Sequence, residues 1–301
     1  MSEHPLPPPS LSTRIYDTIK PILPKRLRGD IPVVPVVRLT GIIGFSTPLK
    51  PGLTLASTAK ALDRAFSTRH ARAVALLINS PGGSPVQSHL IFRRIRQLSE
   101  DKGLRVIAFI EDVGASGGYM IACAADEIIC DMSSMVGSIG VVGGTFGFDK
   151  AMEKVGVERR LYTSGERKAM LDPFLPEKPE DVKRLKQIQN EIHESFIALV
   201  KERRGAKLTG PEKTLFSGEY WTGSTAIELG VADVLGDLRS TLRERYGEEV
   251  LMPVIASEKG FLARKLRGAD AALNLLGGHS GLADEVISAL EARALWSRYG
   301  L

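Results

Sequence analysis

The chain is poor in the residues that metal, disulfide and nucleic-acid chemistry draw on. It has two cysteines, Cys123 and Cys130, in an apolar stretch and without C-x-x-C spacing. Such thiols read as buried and inert in a reducing compartment rather than as a disulfide. The five histidines (His4, His70, His89, His193 and His279) form no H-E-x-x-H pair, and none stands beside a cysteine cluster, so no metal site is expected. Aromatic residues make up 6% of the chain, and its basic residues are scattered. A nucleic-acid binder would gather Lys and Arg into a stripe among stacking platforms, so no nucleic-acid partner is expected. Nowhere do about 18 apolar residues run uninterrupted, and the N-terminus lacks a signal-peptide core. A cytoplasmic location is the expectation.

What remains is ordinary globular composition. Of 301 residues, 43% are hydrophobic and 25% charged, with 40 Lys and Arg against 35 Asp and Glu. Residues 1–30 read as an arm: Pro5, Pro7, Pro8 and Pro9 forbid regular structure at its start. Leu11, Ile15, Ile19 and Ile22 then share a side ahead of Lys25, Arg26 and Arg28. This basic amphipathic segment either docks on the protein's own body or makes peripheral contact with an anionic membrane surface.

From residue 31 the pattern alternates. Apolar, β-branched runs at 31–44, 73–79 and 105–110 read as strands, and short strands are expected near 127–130 and 158–162. Helical patterns at 56–67, 86–98, 117–125 and 179–204 lie between or after them. Val86, Leu90, Ile91, Ile95 and Leu98 are expected to face inward on the second helix. Val182, Leu185, Ile188, Ile192, Phe196, Leu199 and Val200 form one apolar stripe on the last. Continuously apolar strands alternating with helices predict an α/β fold of βαβ units around a parallel sheet covered on both faces. Residues 31–250 form the expected main domain, whose last unit is a turn, a helix and a strand at 217–236. Residues 251–301 form a C-terminal extension with a helix at 282–297. There is no internal repeat, so one active unit per chain is expected.

Three segments carry glycine and serine where a buried α/β unit prefers apolar side chains. In Asn79-Ser80-Pro81-Gly82-Gly83-Ser84, between a strand and a helix, paired glycines let backbone N–H groups approach a bound group. The alternative is a plain turn. In Gly114-Ala115-Ser116-Gly117-Gly118-Tyr119 a serine sits where a strand hands over to a helix, with the logic of a nucleophile elbow but without the G-x-S-x-G string. The alternative is an N-cap serine. In Ser164-Gly165-Glu166-Arg167-Lys168 a lysine stands on a polar loop, where a solvated charge is the ordinary reading. A serine nucleophile needs a base, and no histidine lies between His89 and His193. A Ser-Lys pair is the recognised alternative to a triad, and requires an amine partly removed from water.

Taken in order, NSPGGS (79–84), GASGGYMIACAADEI (114–128), MVGSIGVV (135–142), SGERKAMLDP (164–173) and FSGEYWTGSTAIELGVADVLG (216–236) resemble the successive signatures of the signal peptide peptidase A family. The resemblance implies a serine endopeptidase with the crotonase/Clp-protease fold, Ser116 as acyl-forming nucleophile and Lys168 as general base. It implies that Ser138 orients the lysine and that the N–H groups of Gly83 and Gly117 form the oxyanion hole, with Gly82 an open alternative to Gly83. It further implies peptide substrates such as cleaved signal peptides, no cofactor, and a homo-oligomeric ring whose active sites are shared between subunits. Many members carry an N-terminal transmembrane anchor; this sequence shows none. A crotonase-type acyl-CoA enzyme and an inactive scaffold are the competing readings. The Ser116, Lys168 and Ser138 set counts against both.

Overall fold

A computed structural model of the chain describes residues 31–44, 52–255 and 293–300. The expected N-terminal arm and most of the expected C-terminal extension lie outside the described residues, save that 293–297 is helical.

The apolar runs form the strands β1 (Val36–Thr40), β2 (Ala73–Ser80), β3 (Arg105–Ala115), β4 (Glu127–Cys130) and β5 (Met135–Gly137). Short strands β6 (Tyr220–Thr222), β7 (Val234–Leu235) and β8 (Val254–Ile255) complete the set. The sheet order is β6-β5-β3-β2-β1-β8, with β4 also on β3 and β7 on β4. Every pairing is parallel except β5 with β6. This is the predicted α/β class. β3 is long enough to pair β4 along Ile107–Ile110 and β5 along Val113–Ala115.

Besides the helical segment 293–297, the helices of the described residues are, in chain order, α1 (Leu55–Phe66), α2 (Pro85–Lys102), α3 (Gly117–Ala122), α4 (Asp149–Val155), α5 (Pro179–Arg204), α6 (Glu212–Leu215), α7 (Gly223–Glu228) and α8 (Leu238–Tyr246). Local chemistry sets their ends. Thr54 and Ser57 cap α1 reciprocally, and Ser84 caps α2 with Pro85 in its first turn and Gly103 left-handed at its end. Strand residues alternate between two cores, as a pleat requires. Val74, Leu76 and Ile78 of β2 meet Leu62, Ile91, Ile95 and Ile121 from α1, α2 and α3. Ala73 and Ala75 face the other way, toward Leu242 of α8.

Three expectations need correction. Val86 is 65% and Leu90 37% exposed, while Ser88, Ile91, Phe92, Ile95, Leu98 and Ser99 are the buried face of α2. The helix is turned so that Val86 and Leu90 lie off its buried face. Residues 158–162 are not a strand; they are exposed and have no neighbouring strand to complete a ladder. The stripe of α5 is buried only at Phe196, Leu199 and Val200, its earlier members being half-covered.

Behind the sheet, Arg204 at the end of α5 donates to Asp233 Oδ2 at 2.6 Å and to the Gly230 carbonyl at 2.6 Å. Lys207 and the Ile128 N–H also donate to Asp233, each at 2.8 Å. Burial pushes the Asp233 carboxyl upward, but these bonds outweigh it and hold the group below the usual carboxylate range. Tyr119 of α3 joins the same region through its hydroxyl, 2.9 Å from the Val231 carbonyl. Cys123 and Cys130 are free and buried, and burial pushes their thiols up to about 12 and about 11.

Candidate active site

Parallel strands place all their carboxyl ends on one edge, which is where α/β proteins carry their chemistry. Here β2 runs out into the 80–84 loop, β3 into Ser116 and β5 into Ser138. The Ser116 N–H donates to the Gly137 carbonyl at 2.8 Å, so the two serines stand at the ends of neighbouring strands.

Ser116 takes φ 52° and ψ −121°, a conformation that costs a non-glycine residue about 1–3 kcal/mol. It occupies the N-cap position of α3, yet its side chain makes no capping bond. Ser116 is thus an N-cap by position only, and its hydroxyl does no capping. Among the described residues the half-exposed Ser116 hydroxyl has no hydrogen-bond partner, although the residues on both sides of it are buried. Strain, an unengaged hydroxyl and a helix beginning at the next residue are the features of a nucleophile held out of its strand.

The 80–84 loop lies directly against this turn. Gly82, at φ +98°, faces the Ser116–Gly117 peptide so closely that a Cβ on it would stand 2.8 Å from both Gly117 N and Ser116 Cβ. The loop is fixed from beneath by Ser80, fully buried, whose hydroxyl donates to the Gly41 carbonyl at 2.6 Å and accepts the Gly82 N–H at 3.2 Å. Gly83 pairs with Ile43 in a parallel bridge. The bonds of that bridge are Ile43 N–H to the Gly82 carbonyl and Ser84 N–H to the Ile43 carbonyl, both at 2.8 Å. The Gly83 N–H therefore points away from Ile43. It and the Gly117 N–H have no acceptor among the described residues. Of the two candidates left open by sequence, Gly82 has its N–H engaged and Gly83 has it free.

Ser138 is also at positive φ, 53°, and 8% exposed; its N–H donates to the Glu219 carbonyl at 2.6 Å. Its hydroxyl has no partner among the described residues. His193 of α5 approaches from the side, with Nε2 3.0 Å from the Ile139 carbonyl. That contact makes Nε2–H a donor and anchors the residue after Ser138. Neither His193 nor Ser80 is assigned a role from sequence. Each had a signal: His193 follows Ile192 on the apolar stripe, and Ser80 is a polar residue ending an apolar strand.

Ser116, Ser138, Gly83 and Gly117 are thus brought together, and Lys168 is not. It is exposed on its loop, held only through its backbone N–H to the Gly165 carbonyl at 3.1 Å. Its amine and the Ser116 hydroxyl are not within hydrogen-bonding distance of each other. Lys168 belongs to an arm, residues 144–176, that packs on itself. Phe148 stacks on Phe174, Arg159 lies over the Phe174 ring and pairs with Asp172 at 2.8 Å, and the Phe148 N–H reaches the Pro173 carbonyl. The arm leaves Phe146 76%, Val155 71% and Tyr162 89% exposed.

The model of peptidase family S49 matches residues 99–249. A Brucella abortus protein named Na(+)/H(+) antiporter NhaA is 51% identical over 303 residues, covering 97% of this chain, and the chain spans only 40% of that protein's length. A Synechocystis protein whose name marks it as a candidate protease is 30% identical over 78% of this chain and 87% of its own length. The Arabidopsis thaliana chloroplastic serine protease SPPA is 31% identical over 70% of this chain and 32% of its own. Among the described residues, no helix is long and apolar enough to cross a membrane.

Proposed function

Because this chain belongs to peptidase family S49, we propose that it hydrolyses peptide bonds with Ser116 as nucleophile and Lys168 as general base. The observation that carries the reading is Ser116 itself, a strained serine with an unengaged hydroxyl, next to two backbone N–H groups that have no acceptor. In the proposed cycle the neutral lysine amine takes the Ser116 proton while Oγ attacks the substrate carbonyl. The oxyanion that forms rests on the N–H groups of Gly83 and Gly117, each such donor being worth about 3–4 kcal/mol in the transition state. The lysine ammonium passes its proton to the departing amine, leaving an acyl ester on Ser116. Water, deprotonated by the same lysine, then releases the acid and regenerates the serine. Ser138 orients the amine. The chemistry asks for no metal or nucleotide.

The lysine comes from a second copy of the chain in this reading, within a ring. Two features support it: the exposed amine makes no hydrogen bond to Ser116 of its own chain, and its arm exposes large apolar side chains. A partner covering the arm would also remove the lysine from water, as its role as a base requires. The half-covered stripe of α5 is a further surface for such a neighbour. Substrates are extended apolar peptides, cleaved signal peptides among them. The protein works in the cytoplasm, with the basic residues of 1–30 available for the inner face of the membrane.

A fluorophosphonate probe followed by intact-mass measurement tests the nucleophile. One adduct per chain, absent from Ser116→Ala, is expected; an adduct that survives Ser116→Ala contradicts the assignment.

A further inference from the structure

The ladder joining β2 to β3 slips just before the site. Ile78 pairs with Ile110, but Ser80 pairs with Gly114. Asn79 alone therefore stands opposite Glu111, Asp112 and Val113. A bulge of this kind leaves ladder groups unpaired and bends the strand that carries it. Here the bent strand runs on through Gly114 and Ala115 into Ser116, so the shape of the bulge sets the direction in which the serine is presented.

The Asn79 side chain fills the bulge from the opposite strand. Its amide nitrogen donates to Asp112 Oδ2 at 2.6 Å, a charge-assisted bond, and its amide oxygen accepts the Val113 N–H at 3.3 Å. The Asn79 carbonyl is itself held by the Gly41 N–H at 2.9 Å, so the side chain projects from a fixed backbone. On the same stretch of β3, Glu111 is paired with Arg38 of β1 at 3.4 Å. Only an amide offers a donor and an acceptor at this reach; a carboxylate has no proton to give Asp112, and a hydroxyl is too short to span both groups. Asparagine is otherwise a poor strand residue, and its presence at the end of an apolar strand calls for a local reason.

We propose that Asn79 is a positioning residue for the nucleophile: its amide fixes the bulge of β3 and, through it, the backbone at Ser116. The proposal rests on the reading of Ser116 as nucleophile. The Asn79 side chain bonds to Asp112 and Val113, not to the serine hydroxyl, and acts through Val113, Gly114 and Ala115.

The test compares rates of fluorophosphonate labelling at Ser116, with thermal unfolding measured alongside. Asn79→Asp sets two carboxylates against each other across the 2.6 Å contact. Labelling is expected to slow by about tenfold or more, since small misplacements near the reacting atoms are costly. Adding Asp112→Asn restores one donor and one acceptor with their roles exchanged. The double variant should return to within about threefold of the wild-type rate, a coupling expected of residues in direct contact. Asn79→Ala, which introduces no charge, carries the same expectation of slow labelling and stands in if Asn79→Asp does not fold. Wild-type labelling rates in Asn79→Asp or Asn79→Ala overturn the proposal, as does a folded double variant no faster than Asn79→Asp. Failure of the underlying reading looks different: the wild-type protein itself then takes up no label at Ser116.

Discussion

Gly82→Ala is the sharpest perturbation of the contact between the two halves of the site. The added Cβ would lie 2.8 Å from Gly117 N and Ser116 Cβ and 3.0 Å from the Ala115 carbonyl oxygen. These are backbone atoms or the first atom of a side chain, so nothing can swing aside. The loop must retreat by about 0.6 Å or more to reach ordinary van der Waals contact, which begins near 3.4 Å. At φ +98° alanine also carries strain that glycine does not, roughly 1–2 kcal/mol. A misplacement of 1 Å costs on the order of a hundredfold in rate, so a shift of this size should slow Ser116 labelling by about tenfold or somewhat more. The backbone strain alone should lower the melting temperature by about 2–3 °C in a chain of 301 residues. Fluorophosphonate labelling and a melting curve on the same sample separate the two effects. A variant that melts earlier yet labels at the wild-type rate would refute the claim that this contact sets the site's geometry.

Two further outcomes follow from the charged groups. Asp233→Asn leaves the buried Arg204 guanidinium without its counter-charge and should cost about 3 kcal/mol at pH 7 in a urea titration. Because the folded-state pKa of Asp233 is depressed, its contribution is present above the unfolded value and lost as pH falls through the folded one. The gap between variant and wild type should therefore narrow below about pH 4; a gap that is constant with pH contradicts the ion-pair account. Lys168→Ala should behave in the opposite way. The side chain is exposed and without a partner among the described residues, so stability should change by less than about 0.5 kcal/mol while peptide hydrolysis falls by about a thousandfold or more.

Much of this layout was legible because apolar runs and their punctuation are local signals. AVALLIN ends in Asn79 and Ser80, and RVIAFI runs toward Ser116, so the strand-to-helix turns could be read from residues in sequence. The end of β3 could not. Glu111 and Asp112 interrupt its apolar run, and only the pairing with β2 shows that they form a bulge inside a longer strand. The positive φ of Ser116 and Ser138 was equally hidden, since serine has no preference for that region and the neighbouring chain imposes it. Val86 and Leu90 fit a helical period but lie on the flank of the buried face, because periodicity gives spacing and not the rotation of the helix. Residues 158–162, Glu158-Arg159-Arg160-Leu161-Tyr162, are mostly charged and exposed, and no neighbouring strand pairs with them. Lys168 came from the family resemblance alone; a single exposed lysine on a polar loop carries no local signal of function.

The shared Ser116–Lys168 site is tested most directly by mixing two inactive proteins, Ser116→Ala and Lys168→Ala, under conditions where mass measurement shows that subunits exchange. In a head-to-tail ring, each Lys168→Ala chain keeps a serine that a neighbouring Ser116→Ala chain can serve. Random mixing in equal amounts should then restore about one quarter of the wild-type peptidase activity. A mixture that exchanges fully and stays inactive would contradict the account.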